Sequence, residues 1–107
     1  MATFRLSRLA EADLLEIGAY TLERWGERQA LRYIDGLETI CQQLAENPQS
    51  GRPCDQIRPG LRRMEHGRHV VFYRIESGGI RVSRILHQRM LPERRTIDDA
   101  ESGPNTT

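Results

Sequence analysis

A single glycine separates two long runs of helical periodicity, and this arrangement restricts the fold more than any other feature of the sequence. Apolar residues recur at helical spacing on both sides of Gly26, and glycine is common at helix ends. The stripes are Ala10, Leu14, Ile17 and Thr21 before Gly26, and Ala30, Ile34, Leu37, Cys41 and Leu44 after it. Two helices joined by so short a connection are predicted to form an antiparallel hairpin.

The outer ends of the hairpin carry their own signals. Ser7 is a good N-cap for the first helix, and Asn47-Pro48 ends the second because the residue before a proline avoids the helical region. A second stripe on the first helix consists of Leu15, Gly18, Leu22 and Trp25. So wide an apolar face is expected to contact both a sheet and the second helix.

Short runs of alternating or β-branched residues flank the hairpin and predict strands. They are Thr3 to Ser7, Leu61 to Glu65, Arg68 to Ile75, and Ile80 to His87, whose alternation slips between Val82 and Ile85 and indicates a bulge or burial on both faces. The segment from Pro48 to Gly60 is rich in Pro and Gly and is expected to be an exposed loop. The predicted class is α+β: a helical hairpin packed on one face of a largely antiparallel four-stranded sheet, in the order β-α-α-β-β-β.

The chain of 107 residues has the length of one domain. We place this domain at residues 1–95 and expect residues 96–107, which are polar, to form a flexible tail. No apolar stretch approaches the roughly 18 residues of a membrane span, and no secretory signal is visible, so the expected compartment is the cytoplasm. Cys41 and Cys54 match no metal or redox spacing and are expected to be unpaired thiols.

Charge is divided unevenly along the chain, although the formal net charge is only +1. Residues 52–95 carry 11 Arg against four acids, whereas residues 1–50 carry five Arg against eight acids. All 16 basic residues are Arg, which pairs bidentately with carboxylates and phosphates. A genome that favours Arg codons would explain the absence of Lys but not the clustering. The C-terminal half is therefore expected to bind an acidic partner, either protein or nucleic acid.

Six groups of residues follow one another in the order of a known family. They are Arg5–Ser7 with Ala10–Leu14, Glu23–Gly26, Leu44–Pro48 with Gly51–Pro53, Arg58–Arg62, Gly67–Arg74, and Ile85–Met90. Each group alone has an ordinary structural explanation, such as a helix end or a core strand. Taken in order, they cover about residues 4–92, and over that range the sequence resembles the ParE toxins of the RelE/ParE superfamily.

The resemblance implies a fold in which the first strand lies beside the last. It also implies a toxin that binds DNA gyrase and blocks replication without chemistry of its own, and it implies no cofactor. The expected partner is a cognate ParD antitoxin, whose ribbon-helix-helix end binds operator DNA and whose flexible C-terminal segment wraps the toxin. The toxin would meet operator DNA only through this antitoxin.

The residues expected to contact antitoxin or target combine charge with predicted exposure in the Arg-rich half. They are Arg58, Arg62, Arg68, Arg74, Arg84, His87 and Arg89. Apolar contacts are expected from the faces of the hairpin that do not cover the sheet. The sequence does not assign individual residues to antitoxin or target.

The alternative function is ribosome-dependent cleavage of messenger RNA, as in the RelE branch of the superfamily. Such cleavage needs a base, an acid and cations on the scissile phosphate. Candidates exist: Glu65 as base, His87 as acid, and Arg62, Arg63, Arg84 and Arg89 on phosphate. Against it, Gln88 stands where several nuclease relatives carry tyrosine, and the only tyrosines, Tyr20, Tyr33 and Tyr73, fall on helices and a central strand. The expectation is a binding protein rather than an enzyme.

The other two histidines are weaker candidates for a function. His66 lies in a predicted turn and His69 on the following strand, with no carboxylate or third ligand at the spacing of a zinc site. We expect them to be polar groups at a surface or interface, and we expect no metal.

Overall fold

The computed structural model describes residues 2–90 and 92–97. Its helices are α1 (Arg8–Trp25) and α2 (Glu27–Glu46), and its strands are β1 (Thr3–Leu6), β2 (Arg52–Pro53), β3 (Arg62–His66), β4 (His69–Glu76) and β5 (Gly79–His87). Short 3-10 turns lie at Pro48–Ser50 and Pro92–Arg94. Both helices pack on one face of a single sheet, so the predicted α+β class is confirmed.

The sheet has five strands in the order β1-β5-β4-β3-β2, one more than predicted. The additional strand is β2, in which Arg52 and Pro53 pair with Arg63 and Arg62 of β3. β1 runs parallel to β5 at one end of the sheet, and the other pairings are antiparallel. The first strand therefore lies beside the last, as the resemblance implied.

The predicted ends of the hairpin are confirmed. The hydroxyl of Ser7 accepts a hydrogen bond from the backbone N–H of Ala10 and so caps α1. Gly26, with a φ of 91°, ends α1 and begins α2 without any further connecting residue. α1 contacts both the sheet and α2, as predicted. Its apolar face is narrower than expected, because Leu15, Leu22 and Trp25 of the second stripe lie exposed.

Two hydrophobic cores lie on opposite faces of the sheet, since neighbouring residues of β4 point to opposite sides. Val71 and Tyr73 pack toward the helices with Leu37 and Leu44, whereas Val70 and Phe72 pack on the other face. The second core is completed by Cys54, Ile57, Leu61, Leu86 and Ile97. The segment from Pro48 to Gly60 is therefore not the exposed loop that was predicted, because part of it covers this second face.

Ile97 extends the packed part of the chain beyond the predicted boundary at residue 95. Its side chain is 1% exposed and belongs to the second core. The rest of the predicted tail, residues 98–107, lies outside the described residues. Both cysteines are unpaired and buried, as expected for Cys41 and Cys54. Among the described residues, no helix is long and apolar enough to cross a membrane.

The irregularity predicted in the last strand is a bulge at Ser83. Tyr73 pairs with Val82 and Phe72 pairs with Arg84, so Ser83 has no residue opposite it on β4. The carbonyl of Ser83 accepts a hydrogen bond from the hydroxyl of Ser7 at 2.8 Å. Beyond the bulge β5 continues past the end of β1, and its outer edge faces α1.

Candidate functional site

A groove of about 910 Å³ opens between α1 and the end of the sheet, and we call it the hairpin-sheet groove. The α1 wall includes Asp13, Glu16, Tyr20, Glu23 and Trp25, and the sheet wall includes Arg68, His69, His87 and Met90. Tyr33 of α2 also lines it. The groove therefore lies where α1 faces the part of β5 that extends past β1.

Large side chains lie open to solvent around this groove. Trp25 is 62% exposed, Tyr20 is 55% exposed and Met90 is 37% exposed. The guanidinium of Arg24 lies 5.4 Å from the centre of the Tyr20 ring. Exposed aromatic and methionine side chains gathered at one concave surface are typical of an interaction site.

Asp13 joins α1 to the edge of β5. Its carboxylate accepts two hydrogen bonds from the guanidinium of Arg84, both 2.8 Å long, and one from the backbone N–H of Ile85 at 2.9 Å. The side chains of Asp13 and Arg84 are only 10% and 14% exposed. This ion pair fixes α1 against the strand that carries His87.

Tyr33, His69 and His87 form a cluster of hydrogen-bonded and edge-to-face contacts on the sheet side of the groove. The hydroxyl of Tyr33 lies 2.7 Å from Nδ1 of His69, and it accepts a hydrogen bond from the backbone N–H of Arg68. The rings of His69 and His87 meet edge to face, 5.4 Å apart. Burial, together with the neighbouring His87 and His66, lowers the pKa of His69 to about 4. Burial raises the pKa of Tyr33.

Four of the seven residues predicted to make contacts lie at or beside this groove. Arg68 and His87 line it, and Arg89 is tied to it because its backbone N–H donates to Nδ1 of His87. Arg84 lies at its edge, where the guanidinium is bound by Asp13 and by the carbonyl of Thr96. His66 and His69, expected at a surface or interface, are half-buried beside Tyr33.

The other three predicted contact residues bind carbonyl groups of their own chain. Arg58 donates to Ile57, Arg74 donates to Pro59, and Arg62 donates to Gly51 and Gln49. These bonds hold the segment that covers the second face of the sheet. The guanidinium groups of these three residues therefore stabilise the fold, and they lie away from the groove.

The residues proposed for RNA cleavage are not brought together. The three histidines lie side by side on neighbouring strands, where His69 pairs with both His66 and His87, and their side chains point to the face that carries Tyr33. Glu65 comes directly before His66 on β3, so its side chain points to the opposite face. There Glu65 accepts hydrogen bonds from Arg52 at 2.7 Å and Arg63 at 3.1 Å. Partial burial raises the pKa of Glu65, but the hydrogen bonds from Arg52 and Arg63 lower it more, so the pKa lies below its ordinary value.

Sequence reasoning missed the aromatic part of the groove. Trp25 belonged to an apolar stripe that was predicted to be covered, and Tyr33 was considered only as one of the tyrosines outside the position of the nuclease tyrosine. A usable signal was present in α1, where the buried positions Ala10, Asp13 and Ile17 include an acid. A carboxylate on a buried face predicts a paired partner, which the structure supplies as Arg84.

Comparison with known proteins agrees with the fold and identifies the family. Residues 4–92 match the model of the ParE toxin of the type II toxin-antitoxin system parDE. Toxin ParE1 of Mycobacterium tuberculosis is 47% identical over 88 residues, covering 81% of this chain and 90% of the relative. Toxin ParE1 of Caulobacter vibrioides is 46% identical over 92 residues, covering 84% and 93%. A chain of the chromosomal ParDE toxin-antitoxin system from P. aeruginosa superposes with a TM-score of 0.68 at 25% identity, covering 81% of this chain and 96% of that one. The chain belongs to the ParE toxin family of type II toxin-antitoxin systems.

Proposed function

We propose that this toxin acts in the cytoplasm by binding DNA gyrase, which stops replication, and that a ParD-like antitoxin neutralises it. The antitoxin would bind operator DNA through a ribbon-helix-helix end and the toxin through a flexible C-terminal segment. Membership of the ParE family supports both parts of the proposal. The structural relative from P. aeruginosa is named as part of a ParDE system, which supports a partner of the ParD type.

The residues that line the hairpin-sheet groove favour a binding function over a catalytic one. Trp25, Tyr20 and Met90 offer exposed apolar area, and such residues dominate the affinity of protein interfaces. The proposed catalytic base and acid, Glu65 and His87, point to opposite faces of the sheet. A nuclease would need both groups on one phosphate.

A ribonuclease remains the second candidate because one cluster has suitable chemistry. Tyr33, His69 and His87 are in contact, Arg68 lies beside them, and the lowered pKa of His69 keeps that imidazole neutral at pH 7. Proton transfer between groups of this kind is the basis of general acid-base catalysis. The α1 wall weighs against it, because Glu16 and Glu23 would repel a phosphate chain in the same groove.

Purified gyrase provides the direct test. We expect the chain to inhibit supercoiling of relaxed plasmid or to accumulate cleaved DNA, and we expect the ParD-like antitoxin to reverse the effect. His87→Ala should retain gyrase inhibition if the protein acts by contact area alone. Gyrase activity unchanged at saturating toxin, together with cut messages in a ribosome assay and their loss in His87→Ala, would establish the nuclease instead.

A further inference from the structure

The face of the sheet that points away from α1 and α2, which we call the far face, carries a row of three arginines. We infer that this row, made of Arg5, Arg81 and Arg74, binds the phosphate backbone of duplex DNA. The inference goes beyond the proposed function, because it gives the toxin a DNA contact of its own. Such a contact reads no base sequence, so it is separate from the operator binding that the proposal assigns to the antitoxin.

The register of the sheet places the three arginines side by side. Arg81 of β5 pairs with Arg5 of β1 on one side and with Arg74 of β4 on the other. Their neighbours Ile80 and Tyr73 pack in the core beneath the helices, so the arginine side chains point to the far face. The row spans about 10 Å, because adjacent strands lie about 4.8 Å apart. One strand of duplex DNA presents about three phosphates over that length.

Contacts within the chain hold the row in place. The guanidinium of Arg5 donates to both carboxylate oxygens of Glu76, at 2.8 and 2.9 Å, and the Arg5 side chain remains 60% exposed. Arg74 donates to the carbonyl of Pro59, which positions the guanidinium without neutralising it. The hydrogen bond from Arg5 and the charges of Arg5 and Arg81 lower the pKa of Glu76. One carboxylate therefore serves three guanidinium groups.

The two layers of the fold carry opposite charge. The two helices carry four Arg against eight acids, whereas the five strands carry seven Arg against two acids. A polyanion is therefore attracted to the sheet and repelled by the helical layer. This difference orients the toxin with its strands toward DNA and its helices away from it.

The far face suits phosphate better than it suits a protein partner. Protein interfaces depend on apolar and aromatic anchors near their centre. Of the large apolar side chains that are exposed in the described part of the chain, five lie on the helices and Met90 lines the hairpin-sheet groove. The remaining one, Ile75, pairs with Ile80 and so points to the helix side of the sheet. The far face thus offers charge without anchors, and phosphate contacts require only charge.

A duplex fits the row better than a single strand does. Proteins that hold single strands stack the unpaired bases on exposed aromatic rings. The exposed rings of the described residues, Tyr20 and Trp25, belong to α1 and not to the far face. A duplex also carries twice as many phosphates per unit length as one of its strands does. We therefore assign the row to duplex DNA.

Fluorescence anisotropy of a labelled duplex of arbitrary sequence tests the inference, with salt varied from about 50 to 200 mM. The double variant Arg5→Gln with Arg81→Gln removes two charges from the row. The matched control, Arg28→Gln with Arg32→Gln, removes the same charge from exposed positions of α2. Glu76→Gln provides a change in the opposite direction, with Glu38→Gln on α2 as its control. Thermal unfolding shows whether each variant is folded.

We expect the unmodified toxin to bind the duplex with a Kd of about 10⁻⁴–10⁻⁶ M, and log K to fall with log salt at a slope of about −2.7. The Arg5→Gln and Arg81→Gln double variant should bind at least about tenfold more weakly, with a slope shallower by about 1.8. Its control should change affinity by less than about twofold. Glu76→Gln should bind at least about threefold more tightly, which damage to the fold would not produce. Glu38→Gln should bind like the unmodified toxin.

Four results would overturn the inference. They are no binding of the duplex at about 50 mM salt, equal losses in the two double variants, tighter binding of a single strand of the same length, and tighter binding of a poly-glutamate peptide of equal charge. The last result would assign the far face to an acidic protein.

Gyrase inhibition by the same preparation is measured separately, so that the two proposals fail independently. A toxin that binds the duplex but leaves gyrase active contradicts the proposed function and leaves this inference standing. A toxin that inhibits gyrase but does not bind the duplex contradicts this inference alone.

Discussion

The carboxylate of Asp13 and the guanidinium of Arg84 form a two-point ion pair, with 2.8 Å between the atoms of each bond, although they lie 71 residues apart in the chain. The pair connects α1 to β5, and Asp13 also receives the edge N–H of Ile85. Bidentate pairs of this kind have a defined geometry, so they position as well as stabilise. One acid therefore holds the helix wall of the groove against the strand that bears His87.

Asp13→Ala should destabilise the protein by about 3 kcal/mol, because it leaves the guanidinium of Arg84 and an edge N–H without their acceptor in a poorly hydrated place. Urea unfolding measures the change. Glu16→Ala removes an exposed acid from the same helix and serves as the control, with an expected change under about 0.5 kcal/mol. A loss below about 1 kcal/mol for Asp13→Ala would mean that the pair does not fix the helix to the strand.

Tyr33→Phe should reduce stability by about 1–2 kcal/mol, since its hydroxyl contacts Nδ1 of His69 and accepts from the N–H of Arg68. With Nδ1 of His69 as the acceptor of the Tyr33 hydroxyl, the change also removes a hydrogen bond to the neutral ring, so the pKa of His69 should rise. NMR titration of the imidazole protons measures this directly. Tyr20→Phe removes an exposed hydroxyl and should change neither the stability nor the pKa of His69. An unchanged pKa of His69 in Tyr33→Phe would show that the Tyr33 hydroxyl does not influence the titration of His69.

Stability should fall as the pH is lowered from 6.5 toward 4. The pKa of His69 is lowered from 6.5 to about 4, so unfolding takes up a proton within this window and acid favours the unfolded chain. Above pH 6.5 this contribution is fully present. Glu65 and Glu76, whose pKa values are also lowered, lose their contribution only below their ordinary value of 4.5. The free energy of unfolding between about pH 5 and 6.5 therefore reports on His69, and His69→Gln should flatten that slope.

Gly51→Ala should cost about 3 kcal/mol for steric reasons alone. Its φ of −76° suits any residue, but an added Cβ would lie 2.7 Å from the carbonyl oxygen of Arg63 and would also collide with the hydroxyl of Tyr73. Gly78→Ala is the informative comparison, since its φ is 82° and no atom lies within 4 Å of the added Cβ. That change should cost only about 1 kcal/mol of backbone strain. Thermal unfolding ranks the two, and the reverse order would contradict the packing described for Gly51.

Ile97→Ala should destabilise the protein by about 3 kcal/mol, because the side chain is buried in the second core with Phe72 and Leu86. Glu93→Ala, at an exposed position shortly before it, should have almost no effect. Chemical denaturation of both variants tests where the packed domain ends. If the Ile97→Ala and Glu93→Ala variants are equally stable, the packed domain ends at residue 95, as the sequence predicted.

Local signals made the hairpin predictable. As helix ends, Ser7, Gly26 and Asn47 each bond to backbone groups a few residues away, so the sequence around them contains the interaction that ends the helix. The fifth strand was not predictable in this way. Arg52 and Pro53 become a strand only because β3 presents an edge, and Gly51 is held there by the hydroxyl of Tyr73, 22 residues further along the chain.

The site was predicted in part, for a similar reason. Arg68 and His87 could be named because charge and position near strand ends indicate exposure. The exposure of Trp25 could not be predicted, because apolar residues at helical spacing usually form a core. Its exposure depends on where α2 and the sheet leave α1 uncovered. The pairing of Arg84 with Asp13 likewise depends on the bulge at Ser83, whose position within the strand the pattern did not define.

The most direct test of gyrase-directed toxicity is to induce the chain without antitoxin in a bacterial host and to follow DNA, RNA and protein synthesis together with the SOS response. Co-expression of the antitoxin is the control and should abolish every effect. We expect DNA synthesis to stop first, with SOS induction, while translation continues. Immediate arrest of translation with cut messages, and no SOS induction, would contradict gyrase-directed binding and would direct the next experiments to Tyr33, His69 and His87.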